Sequence, residues 1–563
     1  MSRTLALLVF GIMAAFFSCF FAYPIWTTVK LAFETPDHQL TLEFVFEVFR
    51  NHIYQEGLIN SFLIAIWTTL GCLVMSIPLA VFFVRYAFPG KNLLNSLVLT
   101  PMVLPPFVGA IGVKAILGQA GALNSALIHL GWMNPQHPTD WLGEGQMLGI
   151  VIMEVLHLYP VLYLNVAAAL ANLDPAMEEA AANLGCRPLE RFWRITLPLI
   201  MPGIFAGGTI VFIWAFTELG VPLVFDFDRV TSVQIFRSLN DLSDNPFPYA
   251  LVVVMLVFST LIYSLSKLFF GRANATGGGR ATMARETIHL PYGLGWLCTI
   301  FFALVIFLAV IPHLGVVLLS FADDWYATVL PHSFTLHHYQ EALSHELTLS
   351  SISNSLKYSV IAIAFAMVLG IGVAYVNVRT RIWGRQVLDA MAMLPLAVPG
   401  VVMAFGYLAM TRPGQPFDWL VLGEDPFLIL VIAYAVRRLP YIVRSATAGF
   451  QQVNPALEEA AQNLGASPER ALWRITLPLV APNLLAGGLL AFAFAMLEVS
   501  DSMILAQQSA HFPITKAIYF LVMALGNGPN LASALGVWAM IFLTITIVGA
   551  ALLLGKKLGA LFR

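Results

Sequence analysis

Long runs of apolar residues, separated by short polar segments, dominate this chain of 563 residues. A helix that crosses a bilayer needs about 20 predominantly apolar residues. The pattern therefore predicts an all-α integral membrane protein with about twelve transmembrane helices. The predicted spans are 5–26, 59–83, 94–118, 146–170, 201–224, 248–270, 292–320, 354–377, 388–411, 426–447, 481–506 and 531–554.

Composition agrees with this prediction and narrows the possible functions. Charged residue types make up 11% of the chain, against about 25% in an ordinary soluble domain. The net charge of −2 gives no reason to expect a nucleic-acid ligand. The four cysteines form no CxxC pair and the histidines match no metal-ligand spacing. The sequence therefore predicts neither a disulfide framework nor a metal site.

The second half of the chain repeats the first. Of the 26 positions 178–203, 16 are identical to the residues 280 positions later, and Arg85 matches Arg379 at an offset of 294. Each half holds six predicted spans, so both copies share one topology and form a parallel repeat. The predicted organisation is a first repeat, 1–270, a linker rich in Gly and Ala, 271–290, and a second repeat, 291–563.

The distribution of Lys and Arg predicts the orientation. With both termini in the cytoplasm, most of the 29 Lys and Arg residues fall on the cytoplasmic side, as the positive-inside rule requires. The first apolar run is longer than the core of a signal peptide, and no small-residue cleavage site follows it. We therefore expect an uncleaved first span.

The most charged part of the repeat follows the fourth and the tenth spans, at 178–198 and 458–478. Asp174 is expected to cap a helix that ends before Gly185. A second short helix is expected to end before Pro198. Each copy is therefore predicted to be a helix–turn–helix at the cytoplasmic face. Its occurrence at equivalent points of both repeats indicates a partner that is itself two-fold.

The two charged segments resemble the EAA loop, E-A-A-x3-G-x9-I-x-L-P, of permease subunits in binding-protein-dependent ABC importers. Nearly the whole chain resembles two fused permease domains, most like those of the ferric-iron and thiamine branch. The resemblance implies that the residues matching the pattern couple the chain to ATPase subunits. They are Glu179, Ala180, Ala181, Gly185, Ile195, Leu197 and Pro198, and again Glu459, Ala460, Ala461, Gly465, Ile475, Leu477 and Pro478.

The resemblance also implies the partners. They are two copies of a separate ABC ATPase subunit that binds ATP, and a periplasmic binding protein that delivers a small solute across a bacterial inner membrane. The chain lacks a G-x-x-x-x-G-K-[ST] phosphate-binding loop, so it is expected to have no enzymatic activity and no bound cofactor. Ferric iron is the first expectation for the solute, with thiamine, a polyamine or an aminoalkyl phosphonate as alternatives.

Ionisable residues at membrane depth indicate candidate functional positions. Glu218 and Glu498 occupy equivalent positions in the two repeats. We predict that they line the translocation pathway, with hydrogen bonding between helices as the alternative. Pro105 and Pro399 interrupt the third and ninth spans at matching positions. These breaks predict a gate region, or kinks that serve packing alone.

Two other classes of protein remain open. A secondary transporter of six-plus-six design would also have parallel halves, but it would need no ATPase and no EAA loops. Transport that persists with ATP present and the proton gradient collapsed would argue against it. A membrane-embedded enzyme is disfavoured, because the sequence shows no constellation of catalytic residues.

Overall fold

The computed structural model describes residues 3–554 except 36, 38, 103–104, 144–145, 242–245, 271–286, 422, 424 and 525. Within this part of the chain, ten helices are long and apolar enough to cross a membrane. The number is eleven if the bent pair Arg385–Leu396 and Gly400–Met410 is one span. The prediction of an all-α membrane protein is confirmed.

The number of qualifying spans is lower than the twelve predicted. The predicted span 426–447 is present as a helix, Phe427–Gln452, but it carries Arg437, Arg438 and Arg444. Three guanidinium groups make this helix too polar to count by composition. Most of its residues are nevertheless buried inside the protein.

The helices of the described residues are short at the membrane faces and long between them. Up to residue 270 they are α1 (Arg3–Phe17), α2 (Tyr23–Ala32), α3 (Glu43–Arg50), α4 (His52–Arg85), α5 (Lys91–Val98), α6 (Pro106–Leu117), α7 (Ala122–His129), α8 (Met147–Ala171), α9 (Pro175–Asn183), α10 (Pro188–Arg191), α11 (Leu197–Phe216), α12 (Gly220–Val224), α13 (Thr231–Arg237) and α14 (Phe247–Phe270). After residue 286 they are α15 (Tyr292–Phe321), α16 (His337–Ser344), α17 (Glu346–Arg379), α18 (Arg385–Met393), α19 (Gly400–Met410), α20 (Phe427–Gln452), α21 (Ala456–Asn463), α22 (Pro468–Ala471), α23 (Leu477–Met496), α24 (Ser500–Leu505), α25 (Ile514–Val522) and α26 (Gly528–Leu554).

Shorter elements connect or interrupt these helices. The 3₁₀ turns are Thr100–Met102, Ser238–Asp241, Leu394–Leu396, Asp418–Leu420 and Ser509–His511. The π turns are Ser18–Ala22, Phe192–Thr196 and Leu472–Thr476. Two short strands, β1 (Tyr86–Ala87) and β2 (Ile288–His289), pair in parallel.

One compact unit consists of Met1–Asn51, Ile235–Leu256 and Tyr339–Arg563. Its apolar core lies between α17, α20 and α23. The helix α1 packs against α17 and α2 packs against α19, and the hydroxyl of Tyr407 in α19 donates to the carbonyl of Phe20 (2.9 Å).

The other compact unit consists of His52–Gln234 and Val257–His338. In it α4 packs along α8 and α11, and α15 packs along α6. The contact between α6 and α15 is so close that a Cβ on Gly112 would lie 1.8 Å from the carbonyl oxygen of Pro312. Only glycine fits at that position.

The compact units do not coincide with the sequence repeats. The first helices of the first repeat pack in the unit that holds most of the second repeat, and α15 packs in the unit that holds most of the first. The predicted boundaries at 270 and 291 follow sequence similarity and stay a prediction. Residues 271–286 of the predicted linker lie outside the described residues.

Candidate coupling site

The first coupling segment, residues 174–198, begins as the sequence predicts. The carboxylate of Asp174 accepts a hydrogen bond from the N–H of Ala176 (3.0 Å), and Pro175 occupies the first turn of α9. The helix ends before Gly185, whose φ of 84° lies in the left-handed region that favours glycine. A capping carboxylate and a terminal glycine therefore set the length of α9.

The second helix of this segment differs from the prediction, because it does not end before Pro198. A π turn follows α10 and is closed by a hydrogen bond from the N–H of Leu197 to the carbonyl of Phe192. The turn leads directly into α11, where Pro198 lies in the first turn and its missing N–H is tolerated. The coupling segment is therefore joined to a membrane-spanning helix without a break.

The second coupling segment, residues 454–478, has the same build. The Asn454 side chain accepts from the N–H of Ala456 (3.0 Å), and Gly465 has a φ of 89°. The π turn Leu472–Thr476 again leads directly into a long helix, α23. The chain therefore presents two coupling segments of the same backbone form.

A buried ion pair ties the first coupling segment to α4. The guanidinium of Arg85, the last residue of α4, donates to the carboxylate of Glu178 and to the hydroxyl of Thr196 (2.8 Å). That hydroxyl also donates to Glu178. Glu178 is 5% exposed and Arg85 is 8% exposed, so both charges lie in a region of low dielectric constant. Three elements, α4, α9 and the π turn, meet at this carboxylate.

The second coupling segment has the equivalent ion pair. Arg379, the last residue of α17, lies with its Nε 3.1 Å from Glu458 Oε1, and the hydroxyl of Thr476 donates to the same oxygen (2.8 Å). A further nitrogen of Arg379 donates to the carbonyl of Val453 (2.7 Å). Both coupling segments are therefore fixed to the end of a long helix in the same way.

The glutamates that make these ion pairs are not the ones that the EAA pattern selects. Glu179 and Glu459 are exposed, and the buried carboxylate belongs to the preceding residue in each copy. The recurrence of Arg85 as Arg379 was the available sequence signal for the missed pair. Of the other predicted coupling residues, Ala180, Gly185, Pro198, Ala460, Gly465 and Pro478 are exposed, Ile195, Leu197, Ala461, Ile475 and Leu477 are half-buried, and Ala181 is buried.

Each coupling segment also exposes large apolar side chains at equivalent positions. Leu184 is 89% exposed and its counterpart Leu464 is 90% exposed. Trp193 and Trp473 are 60% and 70% exposed. A side chain of this size gains free energy when a partner covers it. The turn after α9 and the turn after α21 are therefore the candidate docking points of the chain.

The predicted pathway residue Glu498 lies in a buried cluster of charges. Its carboxylate accepts a hydrogen bond from Arg438 and lies 3.4 Å from Nε of Arg437. Asp501 accepts from the same Nε (3.0 Å). Two carboxylates and two guanidinium groups thus neutralise one another inside a single compact unit. These contacts favour the alternative in which Glu498 holds helices together, and its pathway role stays a prediction.

The equivalent residue of the other repeat, Glu218, has different surroundings. Its carboxylate accepts hydrogen bonds from the N–H groups of Gly220 (2.9 Å) and Val221 (3.3 Å). Its carbonyl accepts from the hydroxyl of Ser232. The side chain therefore caps the start of α12, where the helix dipole favours a negative charge. Its predicted role in the pathway is untested by these contacts.

The predicted break in the third span is confirmed. Pro105 directly precedes α6 with an extended backbone, and Pro101 lies in a 3₁₀ turn before it. An imidazole nitrogen of His157 lies 2.8 Å from the carbonyl oxygen of Pro101, and one of His313 lies 3.4 Å from that of Pro105. The carbonyl of Pro105 also accepts the first backbone hydrogen bond of α6, from the N–H of Gly109 (3.1 Å). His157 thus provides a polar partner for the Pro101 carbonyl, which lies before the helix that the break delays.

The predicted break in the ninth span is also confirmed. Pro399 precedes α19 with an extended backbone, and the chain bends there by 103°. The guanidinium of Arg437 lies against the next residue, because a Cβ on Gly400 would be 2.2 Å from one of its nitrogens. Arg437 therefore occupies, at this break, the position that His157 has in the other repeat. A gate at either break stays a prediction.

We expect Glu498→Gln to lower the melting temperature of the purified chain much more than Glu218→Gln does. An amide cannot neutralise the two buried arginines, and breaking a buried ion pair costs about 3–5 kcal/mol. The amide oxygen of Glu218→Gln can still accept from Gly220, so folding is preserved. Equal melting temperatures would contradict the structural role of Glu498.

Normal uptake by Glu218→Gln at normal expression would remove its predicted pathway role.

Comparison of the sequence with known proteins gives two matches to one family of membrane transport proteins. The family described as binding-protein-dependent transport system inner membrane component matches twice, over residues 73–274 and 362–556. The ferric transport system permease protein FbpB of Actinobacillus pleuropneumoniae is 28% identical over 423 residues, which cover 74% of this chain and 59% of that protein. The match thus spans less than two thirds of that relative.

Two further similarities are more distant. The Fe(3+)-transport system permease protein FbpB 2 of Haemophilus influenzae is 23% identical over 457 residues, covering 80% of this chain and 81% of that protein. A chain of a bacterial ABC transporter involved in alginate import has 17% identity and a TM-score of 0.38, covering 46% of this chain and 95% of that one. The two family matches together span more than half of the sequence. This protein therefore belongs to the binding-protein-dependent transport system inner membrane component family, and one polypeptide carries two copies of the family's domain.

Proposed function

We propose that this chain is the permease of an ATP-driven importer that moves ferric iron from the periplasm to the cytoplasm. The observation that carries the proposal is the pair of coupling segments, which share a backbone form, a buried ion pair and an exposed leucine. The similarity to ferric-transport permeases supports iron as the solute. Thiamine, a polyamine and an aminoalkyl phosphonate are the alternative solutes.

The energy source in this proposal is a pair of identical ABC ATPase subunits, which bind ATP on their own chains. The exposed Leu184 and Leu464 recur at equivalent positions. A symmetric dimer offers the same surface twice, and so it can receive both segments. Because the ATPase supplies the chemistry, this chain needs no enzymatic site and no cofactor.

The orientation follows from the same proposal. The coupling segments face the cytoplasm, where the ATPase is, so both termini are cytoplasmic in a bacterial inner membrane. Arginines are concentrated in the coupling segments, as the positive-inside rule favours for a cytoplasmic loop; they are Arg187, Arg191, Arg194, Arg470 and Arg474. A periplasmic binding protein delivers the solute to the opposite face.

A secondary transporter of six-plus-six design is the second candidate. It would use an ion gradient and would leave the exposed leucines of both coupling segments without a role. The build of those segments favours the importer. Uptake that stops when ATP is depleted, and continues when an uncoupler collapses the proton gradient, would exclude the secondary transporter.

Uptake of labelled ferric iron, in cells with and without this gene, tests the proposed solute. We expect the deletion to abolish binding-protein-dependent iron uptake and the intact gene to restore it. Thiamine, putrescine and 2-aminoethylphosphonate uptake serve as parallel measurements. Unchanged iron uptake with loss of one of these solutes would replace iron as the substrate and retain the importer. Retention of all four would contradict the proposal.

A further inference from the structure

An apolar groove of about 770 Å³ lies beside α4 in the unit that contains the first coupling segment. Its walls are formed by some of the side chains within residues 69–78 of α4, residues 192–212 of the π turn and α11, and residues 262–266 of α14. We call it the α4 groove. Val74 and Trp193 at its edges are 75% and 60% exposed, so the groove is open at the surface.

The three hydroxyl groups in the wall are already hydrogen-bonded within the protein. The hydroxyl of Thr69 donates to the carbonyl of Ala65 (2.7 Å). The hydroxyls of Thr209 and Ser266 bond to each other (2.6 Å). The walls of the groove are therefore almost entirely apolar, and they favour an apolar occupant.

The length and depth of the groove correspond to one leaflet of a bilayer. The stretch of α4 that lines it covers about 14 Å at a rise of about 1.5 Å per residue. The hydrocarbon core of a membrane is about 30 Å thick. This stretch is the half of α4 nearest to Arg85, where the coupling segment attaches. In the orientation of the proposed function, the groove lies in the inner leaflet.

Basic side chains flank the end of the groove that is nearest to the coupling segment. Arg191 and Arg194 lie on either side of the wall residues Phe192 and Trp193, and Lys267 follows the wall residue Ser266. The Nε of Arg191 is buried and has no hydrogen-bond partner among the described residues. Nη1 of Arg194 lies 3.0 Å from Oε1 of Glu190 at the surface. Three basic residues against one carboxylate leave a positive charge that complements an anionic headgroup at the membrane surface.

The equivalent glycine of the second repeat has less space beside it. A Cβ on Gly208 in the groove would meet only Cγ2 of Thr69, at 3.8 Å, whereas a Cβ on the equivalent Gly488 would lie 3.0 Å from Cε of Met367. Alanine also replaces Arg191 at the equivalent position, Ala471. The groove and its charge thus occur together in the first repeat, and both features change together in the second.

We propose that the α4 groove binds one anionic phospholipid of the inner leaflet. An acyl chain fills the groove, and the phosphate lies at Arg191, Arg194 and Lys267. The lipid contacts Phe192 and Trp193 of the π turn that joins the coupling segment to α11, so it supports that turn in addition to the Arg85 ion pair. The inner-leaflet position rests on the proposed function; the binding itself does not.

The test measures the lipid that remains on the full-length chain after purification in a mild detergent, by native mass spectrometry with phosphatidylglycerol and phosphatidylethanolamine supplied in equal amounts. We expect the wild type to retain one phosphatidylglycerol. Gly208→Leu places a side chain in the groove and should lower retention by about fivefold or more, since its methyl groups take the place of buried methylenes. Ala206→Leu adds the same side chain at an exposed position of α11 outside the groove and should retain lipid like the wild type.

A second variant does not depend on packing. Arg191→Gln with Arg194→Gln should remove the preference for phosphatidylglycerol over phosphatidylethanolamine. Equal retention by the wild type and Gly208→Leu, no preference for the anionic lipid, or retention of free fatty acid instead would each overturn the proposal. Because the purified chain is measured without ATPase or solute, failure here leaves the importer function standing, and loss of the importer function leaves lipid retention unaffected.

Discussion

Glu178→Ala will strongly lower solute uptake, and Glu179→Ala will leave most of it, although the EAA pattern selects the second residue. Glu178 neutralises Arg85 where both are buried, and removing one partner of such a pair costs about 3–5 kcal/mol. The lost free energy is that of the contact that holds the first coupling segment to the end of α4. We expect uptake to fall by about tenfold or more, since about 1.4 kcal/mol already corresponds to tenfold in an equilibrium.

The measurement is uptake at matched membrane levels of the chain, together with ATPase stimulation by the permease. Glu458→Ala is the equivalent change in the second repeat and should have the same effect. Arg85→Leu combined with Glu178→Leu replaces the pair by apolar side chains, and it should recover part of the activity that either single change loses. Normal uptake by Glu178→Ala alongside impaired uptake by Glu179→Ala would show that the exposed glutamate carries the coupling.

Leu184→Glu combined with Leu464→Glu will separate the chain from the ATPase proposed as its partner. Both leucines are almost fully exposed, and covering a leucine side chain stabilises a complex by about 1.5–3 kcal/mol. Losing both contacts, and burying charge in their place, should weaken binding by at least about a hundredfold at 1.4 kcal/mol per factor of ten. The ATPase should no longer copurify, and uptake should stop.

The chain contains its own control for this experiment. Leu189 is 71% exposed in the first coupling segment, and the equivalent residue of the second is Glu469. Leu189→Glu therefore introduces a charge that one coupling segment already carries, and we expect it to preserve ATPase binding. If Leu189→Glu were as damaging as the double change, the docking surface would extend along α10 and not centre on the leucine turns.

The membrane-spanning helices could be predicted because the bilayer around each helix requires apolar side chains, and these are visible in the sequence. The bilayer requires about 20 apolar residues per span regardless of neighbours. The exception, α20, shows the limit of that reasoning. Arg437 and Arg438 make it polar by composition, yet their partners Glu498 and Asp501 lie on elements about 60 residues later in the chain. The hydropathy of one segment, read alone, cannot show that carboxylates from elsewhere in the chain neutralise its arginines.

The difference between Glu178 and Glu179 has a similar cause. Adjacent residues of a helix point about 100° apart, and the sequence of α9 does not say which direction is buried. The position of Arg85, 93 residues away, decides it. The first helices of each repeat pack in the compact unit that holds most of the other repeat. The sequence could not predict this, because similarity between two repeats does not say which helices pack together.

The sequence by itself determined the membrane-spanning helices, the parallel repeat and the two coupling segments with their caps and terminal glycines. These features depend on local chemistry, namely apolar length, capping side chains and the backbone freedom of glycine. The tertiary structure decided which glutamate of each pair is buried, which charges neutralise Glu498, and which helices form each compact unit. Those outcomes depend on contacts between residues far apart in the chain, where burial in a low-dielectric interior makes the pairing of each charge energetically decisive.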